Sequence, residues 1–187
     1  MVEAPFDSRA FRNALGRFAT GVTIVSTGVD GGVHGMTANA FTSVSLDPPL
    51  VLLSIAQQAR MHAYLAPAAR FGISVLSEDQ QAYAWNFAGR PQEELRPAFE
   101  WKRAVPVLAH ALAHFICSVE ATYPGGDHTL FLARVHDMWY RDGSPLAFSR
   151  GRFFGLIALP SGEWAAEAEL AEATERADEV WLLDPWW

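Results

Sequence analysis

A hairpin signal near the start of the chain constrains its fold more than any other feature. Residues 22–27 are almost all β-branched, and Asp30, Gly31 and Gly32 follow them as turn residues typical of a tight β-hairpin. Further strand-like stretches follow in hairpin-like blocks that do not alternate with helices: two across 34–46, then 50–55, 70–76, 113–123, 129–140 and 153–159. This order predicts a mainly antiparallel β-barrel and disfavours a doubly wound sheet. The absence of a Gly-x-Gly-x-x-Gly motif after any strand points the same way.

Three helices are predicted around this barrel. Asp7 is a good N-cap for the first helix, in which apolar residues recur at helical spacing, and we expect that helix to bury one face. Phe6 and Phe11 are placed for a hydrophobic staple across its start. A short helix is expected within 57–65, and Ser77 should cap another that runs to about Ala88. The prolines at 48 and 49 should end one strand and introduce a central one at 50–55.

The charge is concentrated in the C-terminal segment. Eight acidic residues and one basic residue lie between Glu163 and the C-terminus, so this segment carries the whole formal net charge of −7. A neutral body with an acidic tail gives no electrostatic case for nucleic acid, which would need a basic face, and we expect no nucleic-acid partner. We therefore divide the chain into a domain of residues 1–160 and a tail of residues 161–187, formed by an acidic helix and a Trp-rich end.

Cysteine usage and hydropathy indicate a cytoplasmic protein. Cys117 is the single cysteine and lies in an apolar stretch, where a buried thiol is the ordinary interpretation. Residues 1–5 lack the features of a secretory signal, and no apolar stretch approaches the roughly 20 residues of a membrane span. We expect a soluble protein without a membrane partner.

The segment 35–52 is the most informative for chemistry. It is dense in small hydroxyl and amide residues, among them Thr37 and Asn39. A flavin ring needs hydrogen-bond donors and acceptors at fixed positions on rigid backbone, and these residues can supply them. On spacing alone, however, hydroxyl groups that merely solvate a half-exposed strand explain the pattern better.

Three motifs in order resolve this choice. The segment 35–52, the preceding stretch from Arg17 to Val25 and the later Gly-Asp-His-Thr-Leu-Phe at 126–131 together resemble the flavin reductase-like family of FMN-binding split barrels. The resemblance runs from about Phe11 to Leu156 and is strongest to the reductase components of two-component flavin monooxygenases. It implies an antiparallel Greek-key split β-barrel with flanking helices, which pairs with a second copy of itself as a homodimer.

The resemblance also implies site residues. Thr37, Ala38 and Asn39 match positions that face the flavin ring, and Ser54 matches a contact to the ribityl chain or ring. The remaining matched positions are a helix end near the cofactor, at Asn86 and Phe87, and the acid and histidine associated with the nicotinamide nucleotide, at Asp127 and His128. His128 is the catalytic candidate, with the task of seating the dinucleotide.

One departure from the family concerns the flavin phosphate. Where relatives commonly carry a Ser or Thr cluster, this chain has the sequence Gln-Gln-Ala-Arg-Met-His at 57–62, and Met61 cannot donate a hydrogen bond. Arg60 can replace the lost grip through a bidentate guanidinium contact. The alternatives are that Arg60 only solvates a helix end or pairs with an acid, and that the flavin is held weakly as a diffusing substrate.

The implied activity is hydride transfer from NADH or NADPH to FMN or FAD, with the reduced flavin passed to a monooxygenase partner. Two alternatives remain: a flavoenzyme on the same barrel that acts on an organic substrate in a biosynthetic pathway, and a flavin-binding protein without turnover. His110 and His114 lie four residues apart, but no carboxylate or cysteine neighbours them in sequence, and we expect no metal site.

Overall fold

The computed structural model describes residues 6–65 and 69–156, which belong to one compact unit that ends at Leu156. The helices are α1 (Ser8–Leu15), α2 (Arg60–Tyr64) and α3 (Gln81–Phe87), and a 3-10 turn (Glu78–Gln80) precedes α3. The strands, in chain order, are β1 (Thr20–Gly21), β2 (Thr23–Val29), β3 (Gly32–Ala38), β4 (Phe41–Leu46), β5 (Pro49–Ala56), β6 (Arg70–Val75), β7 (Phe99–Lys102), β8 (Val105–Leu108), β9 (Ala113–Gly125), β10 (His128–Tyr140), β11 (Leu146–Ser149) and β12 (Arg152–Gly155).

A seven-stranded antiparallel sheet forms the body, in the order β3-β2-β6-β9-β10-β5-β4. Its two edge strands, β3 and β4, are joined only by Asn39 and Ala40. In a flat sheet these edges would stand roughly 29 Å apart, six strand spacings, whereas the three-residue step from Ala38 to Phe41 spans at most about 11 Å. The sheet must therefore curl until its edges meet, which confirms the predicted mainly β, antiparallel barrel architecture.

The predicted hairpin near the start of the chain is present. Val29 pairs with Gly32, and Asp30 and Gly31 occupy the turn with φ of 50° and 78°. Positive φ at both central residues is the geometry of the tight turn that Asp-Gly favours. β2 and β3 then pair along their full length, from Thr23 opposite Ala38 to the turn.

The main core lies inside the curled sheet. Alternate residues of β5 point into it, so that Val51, Leu53 and Ile55 are buried there together with Phe71 and Phe131. Cys117 is fully buried in the same core, and burial raises the pKa of its thiol to about 12. The cysteine therefore packs as a small hydrophobic residue, as predicted.

The first helix begins as expected but packs differently. Asp7 Oδ1 accepts hydrogen bonds from the N–H groups of Arg9 and Ala10, and the rings of Phe6 and Phe11 lie 5.2 Å apart. The expectation of a buried face was wrong, because no residue of α1 is buried in the described unit. Its apolar residues project outward instead.

Several smaller elements differ from the sequence expectations. β5 is paired on both sides but lies one strand in from the edge of the sheet, not at its centre. Two elements were not predicted: the β7–β8 hairpin, and a small sheet of β1, β11 and β12. The expected strand at 153–159 is seen as β12, whose continuation beyond Leu156 lies outside the described residues, as do the boundary at residue 160 and the tail helix. Within the described part of the chain, every helix is too short or too polar to cross a membrane.

Candidate functional site

An open cleft of about 1290 Å³ lies between the end of α1 and the outer face of β4 and β5. It is the candidate site because two of the predicted flavin-binding residues, Asn39 and Ser54, both line it. The remaining lining residues come from the C-terminal half of α1 and the segment after it (Arg12, Asn13, Leu15–Gly21), from β4 and β5 (Ala40–Thr42, Leu52), and from the β11–β12 turn (Phe148–Gly151).

The sheet wall of the cleft is rigid where Asn39 and Ser54 lie. Asn39 stands in the short link between the sheet edges, and Ser54 is half-buried on β5. The Ser54 N–H donates to the carbonyl oxygen of Ala40 at 3.1 Å, which ties the link to the strand. Polar groups held in this way keep their positions before a ligand arrives.

The opposite wall is built around Gly16. Its carbonyl oxygen accepts hydrogen bonds from the Arg150 N–H at 2.8 Å and from Ser149 Oγ at 3.0 Å. Thr20 and Gly21 pair with Phe148 and Ala147 in the adjoining small sheet. The segment that follows α1 is therefore fixed to the β11–β12 turn, although both are loops.

The predicted acid and histidine lie at the tip of the β9–β10 hairpin. Gly126 takes a φ of 71° in the turn, and Gln57 holds the turn from outside: its N–H donates to Asp127 O at 3.0 Å and its side chain to Gly126 O at 3.2 Å. His128 Nδ1–H donates to Asp127 Oδ1 at 2.7 Å. This hydrogen bond, with the charge of the histidine, lowers the pKa of the Asp127 carboxyl below its usual range.

His128 and Ser54 share one face of the sheet. His128 pairs with Ala56 across β10 and β5, and Leu130 pairs with Ser54. Side chains two residues apart on a strand point to the same side, separated by about 7 Å. The histidine therefore stands on the face that carries Ser54, next to the cleft and not among its lining residues.

Four predicted residues lie elsewhere, where β3 meets α3. Thr37 Oγ1 donates to the carbonyl oxygen of Ala84 at 2.7 Å, and Ala38 is buried in the main core. The Phe87 ring lies so close to Gly35 that a Cβ there would stand 2.8 Å from it, and Asn86 Oδ1 accepts from the Gln92 N–H at 3.4 Å. The contacts of Thr37 and Phe87 join α3 to β3. A flavin-binding role for these four residues stays a prediction.

Arg60 is also outside the cleft. It is exposed at the first residue of α2, where its charge adds to the effect of burial in lowering the pKa of His34. Next to it Met61 is buried, and His62 Nε2 lies 2.8 Å from Thr129 Oγ1. A phosphate-binding role for Arg60 therefore also stays a prediction.

The sequence reasoning missed the arginines of the cleft. Arg12, Arg17 and Arg150 all line it, and its lining residues in the described part of the chain include no aspartate or glutamate. Arg17 opens one of the three family-like motifs, which was the only signal available. Arg12 and Arg150 lie far apart in sequence and belong to none of the three motifs, so nothing in the sequence pointed to them.

Comparison with known proteins shows the family to which the chain is similar. Residues 15–156 match the model of the family described as "Flavin reductase like domain". The chain is 52% identical over 155 residues to an NADH-dependent flavin reductase of Rhodococcus sp, covering 81% of this chain and 88% of that protein.

Two solved structures are similar along most of the chain. The flavin reductase PheA2 in its native state gives a TM-score of 0.78 with 43% identity, over 82% of this chain and all of that one (100%). The styrene monooxygenase flavin reductase of Pseudomonas putida gives a TM-score of 0.74 with 42% identity, over 80% of this chain and 98% of that one.

Proposed function

The chain belongs to the flavin reductase-like domain family, and we propose that it transfers hydride from NADH to FMN or FAD and supplies the reduced flavin to a separate monooxygenase. The observation that carries the proposal is the cleft in which Asn39 and Ser54 meet, beside the sheet face that bears His128. Relatives named as an NADH-dependent flavin reductase and as a styrene monooxygenase flavin reductase support the donor and the partner.

The cleft fits a flavin. Apolar rings of Phe18, Phe41 and Phe148 line it beside the polar residues, a mixture that suits a flat heteroaromatic ring. Thr20 Oγ1, in the wall of the cleft, is buried and has no hydrogen-bond partner among the described residues. Because an unpaired buried hydroxyl costs free energy, such an atom indicates a wall that a ligand completes.

The protein's own residues act by positioning. The bound flavin would supply an acceptor for the hydride of NADH, and a reaction of this kind needs alignment more than acid–base catalysis. Asn39 and Ser54 would orient the ring from fixed backbone. The Nδ1–H of His128 is committed to Asp127, which leaves Nε2 to contact the nicotinamide nucleotide.

The alternative of a flavoenzyme that acts on an organic substrate is less well supported. Both reactions would use the same cleft, but the similar proteins named above are all flavin reductases. One assay separates the two functions. Purified protein is mixed with NADH or NADPH and with FMN or FAD, and oxidation of the nucleotide is followed.

We expect nucleotide oxidation that requires added flavin and needs no organic substrate, with NADH as the donor. Transfer of the reduced flavin to an oxygenase can then be followed, with NADH present, through product formation by that oxygenase. Oxidation that begins only when an organic substrate is added would favour the alternative, and no oxidation under any condition would refute both.

We propose further that the protein acts as a homodimer. Phe6, Phe11, Leu15 and Phe18 expose between 50% and 77% of their surface along α1 and the residues flanking it. Contiguous apolar surface of this kind is typically covered by a partner, and a second copy would cover it beside the cleft. Light scattering should give twice the mass of one chain, and a fully active monomer would contradict the proposal.

A further inference from the structure

We propose that Arg17 and Arg150, with Arg12 at their side, form a phosphate-binding subsite at the α1 end of the cleft. The proposal rests on the function proposed above and extends it, because it names the group that anchors the anionic part of the nucleotide. The phosphate can belong to the flavin or to the pyrophosphate of NADH, and both present the same oxyanions.

The backbones of the three arginines come together at Gly16, and all three residues line the cleft. The Gly16 N–H donates to Arg12 O at 2.9 Å, the Gly16 carbonyl accepts from the Arg150 N–H at 2.8 Å, and Arg17 is the next residue. A Cβ built on Gly16 would lie 3.6 Å from the Arg150 Cα. The backbones that carry the three side chains are thus packed against one another.

Backbone hydrogen bonds also fix the position of the segment that carries Arg17. Its N–H donates to Ala14 O at 3.0 Å, which extends the last turn of α1. A few residues later, Thr20 pairs with Phe148. Arg17 is therefore held on a short segment that is anchored at both ends, and only its side chain has to order when a ligand binds.

The charge of this region is unbalanced. All three arginines are exposed, and among residues 6–65 and 69–156 no aspartate or glutamate lines the cleft. The arginine–carboxylate ion pairs among the described residues involve Arg103 and Arg134, which lie outside the cleft. Guanidinium groups present paired N–H donors that match the oxygens of a phosphate, so this end of the cleft is suited to a phosphorylated ligand.

The same end of the cleft offers room beside the arginines. A Cβ at Gly21 or at Gly151 would meet no atom within 4 Å, so open space borders the backbone at both positions. Gly151 also has a φ of 76°, which a side chain rarely adopts. A phosphate can therefore approach the backbone closely at this end of the cleft, beside the segments that carry the arginines.

This subsite differs from the one that the sequence suggested. Arg60 lies on α2, close enough to influence His34, and is not among the cleft residues. A ligand whose ring contacts Asn39 and Ser54 borders the Gly16 wall directly, because both walls enclose one cleft. The arginines of that wall are therefore better placed than Arg60 to hold a phosphate of the same ligand.

The test is equilibrium binding of FMN, riboflavin and ADP to Arg17→Ala, Arg150→Ala and wild-type protein. Riboflavin is FMN without its phosphate, and ADP carries the pyrophosphate of the dinucleotide. Arg9→Ala is the matched control, because Arg9 is exposed on α1 near the cleft but does not line it. Arg60→Ala tests the competing position, and thermal melting of each variant checks that it folds.

We expect each cleft variant to raise the dissociation constant of a phosphorylated ligand about tenfold, the scale of a hydrogen bond to a charged group. Riboflavin binding should change less than about twofold, and Arg9→Ala should behave as wild type. A loss confined to FMN assigns the subsite to the phosphate next to the ribityl chain, and a loss confined to ADP assigns it to the pyrophosphate that NADH and FAD share. Arg17→Lys should recover part of the loss, because it keeps the charge but not the fork.

Three results would overturn the proposal: equal losses for FMN and riboflavin, no loss for FMN or ADP, and a loss in Arg60→Ala that the cleft variants do not show. If Arg17→Ala does not fold, Arg150→Ala decides the matter, because Arg150 lies in an exposed turn. Binding is measured without turnover. A wild-type protein that binds FMN but oxidises no NADH would therefore contradict the proposed reductase function and leave the subsite standing.

Discussion

Two histidines stand near opposite ends of the β9–β10 hairpin and are held in opposite ways. His114, the second residue of β9, is 6% exposed; its Nε2–H donates to Leu108 O at 2.8 Å and its Nδ1 lies 3.4 Å from Lys102 Nζ. His128, at the start of β10, has a side chain that is 41% exposed. Only its Nδ1 has a partner in the described structure, the carboxylate of Asp127.

The contrast separates a structural histidine from a functional candidate. Both nitrogens of His114 are used within the protein, and they connect β9 to the β7–β8 hairpin. His128 keeps one nitrogen for a ligand and is oriented by a neighbour, an arrangement typical of groups that bind substrate. In the sequence, only the Gly-Asp-His motif at 126–128 distinguished them, since each histidine lies in a strand-forming segment.

The largest effect should come from His114→Ala. The change removes a buried hydrogen bond and leaves a cavity beneath the β7–β8 hairpin, so we expect a loss of about 2–4 kcal/mol in the free energy of unfolding. Chemical denaturation measures it. The Michaelis constant for NADH should stay near the wild-type value at temperatures where the variant is folded, and a loss below about 1 kcal/mol would contradict the structural role.

His128→Ala should show the converse behaviour. We expect the Michaelis constant for NADH to rise about tenfold, the effect of losing one hydrogen bond to a charged ligand, while the free energy of unfolding changes by less than about 0.5 kcal/mol. Flavin affinity should stay nearly intact. Steady-state kinetics and a flavin titration on the same preparation provide the comparison, and equal losses of both affinities would remove His128 from the nucleotide side of the site.

Acidification should lower the free energy of unfolding through His114. Burial is the largest effect and lowers the pKa of His114 below its usual 6.5. The hydrogen bond to the Leu108 carbonyl is the next largest and raises it, while the charges of Lys102 and Arg141 lower it and that of Glu100 raises it. Because the unfolded chain then binds the proton more readily, the contribution of His114 is complete above pH 6.5 and is lost as the pH falls below it.

One group can change the free energy of unfolding by at most about 1.4 kcal/mol per pH unit. Melting curves of wild type and His114→Gln between neutral and mildly acidic pH isolate this contribution, because the lowered pKa of His34 acts equally in both proteins. A variant with the same pH slope as wild type would show that His114 does not titrate on unfolding.

Local signals predicted much of the fold. The Asp-Gly turn, the Asp7 cap and the staple of Phe6 and Phe11 all formed, because each depends on residues that are near one another in the chain. The β7–β8 hairpin was missed for a related reason. Its turn places Arg103 and Ala104 at positive φ, and neither residue type marks such a turn.

The candidate site was predicted only where a motif carried it. Asn39 and Ser54 both line the cleft. The Gly16 wall, with its arginines, depends instead on the hydrogen bond between Gly16 and Arg150, which joins the two ends of the domain. No sequence spacing encodes that contact. The sequence could not predict that α1 buries no residue within this chain. An amphipathic pattern shows that a helix has an apolar face, but not whether that face packs on the same chain or on a partner.

The smallest effect in this comparison should come from Asp127→Asn. The Asp127 side chain is 92% exposed, so its ion pair with His128 is screened by solvent, and an asparagine oxygen can still accept the Nδ1–H bond. We expect the Michaelis constant for NADH to rise only about twofold, because the tautomer of His128 is kept and only the charge is lost.

Kinetics at low and high salt measure this effect, with Asp142→Asn as an exposed control. The difference in Michaelis constant between the variant and wild type should shrink as salt is added, because salt screens the effect of the Asp127 charge. An effect as large as that of His128→Ala would mean that Asp127 itself contacts the nucleotide.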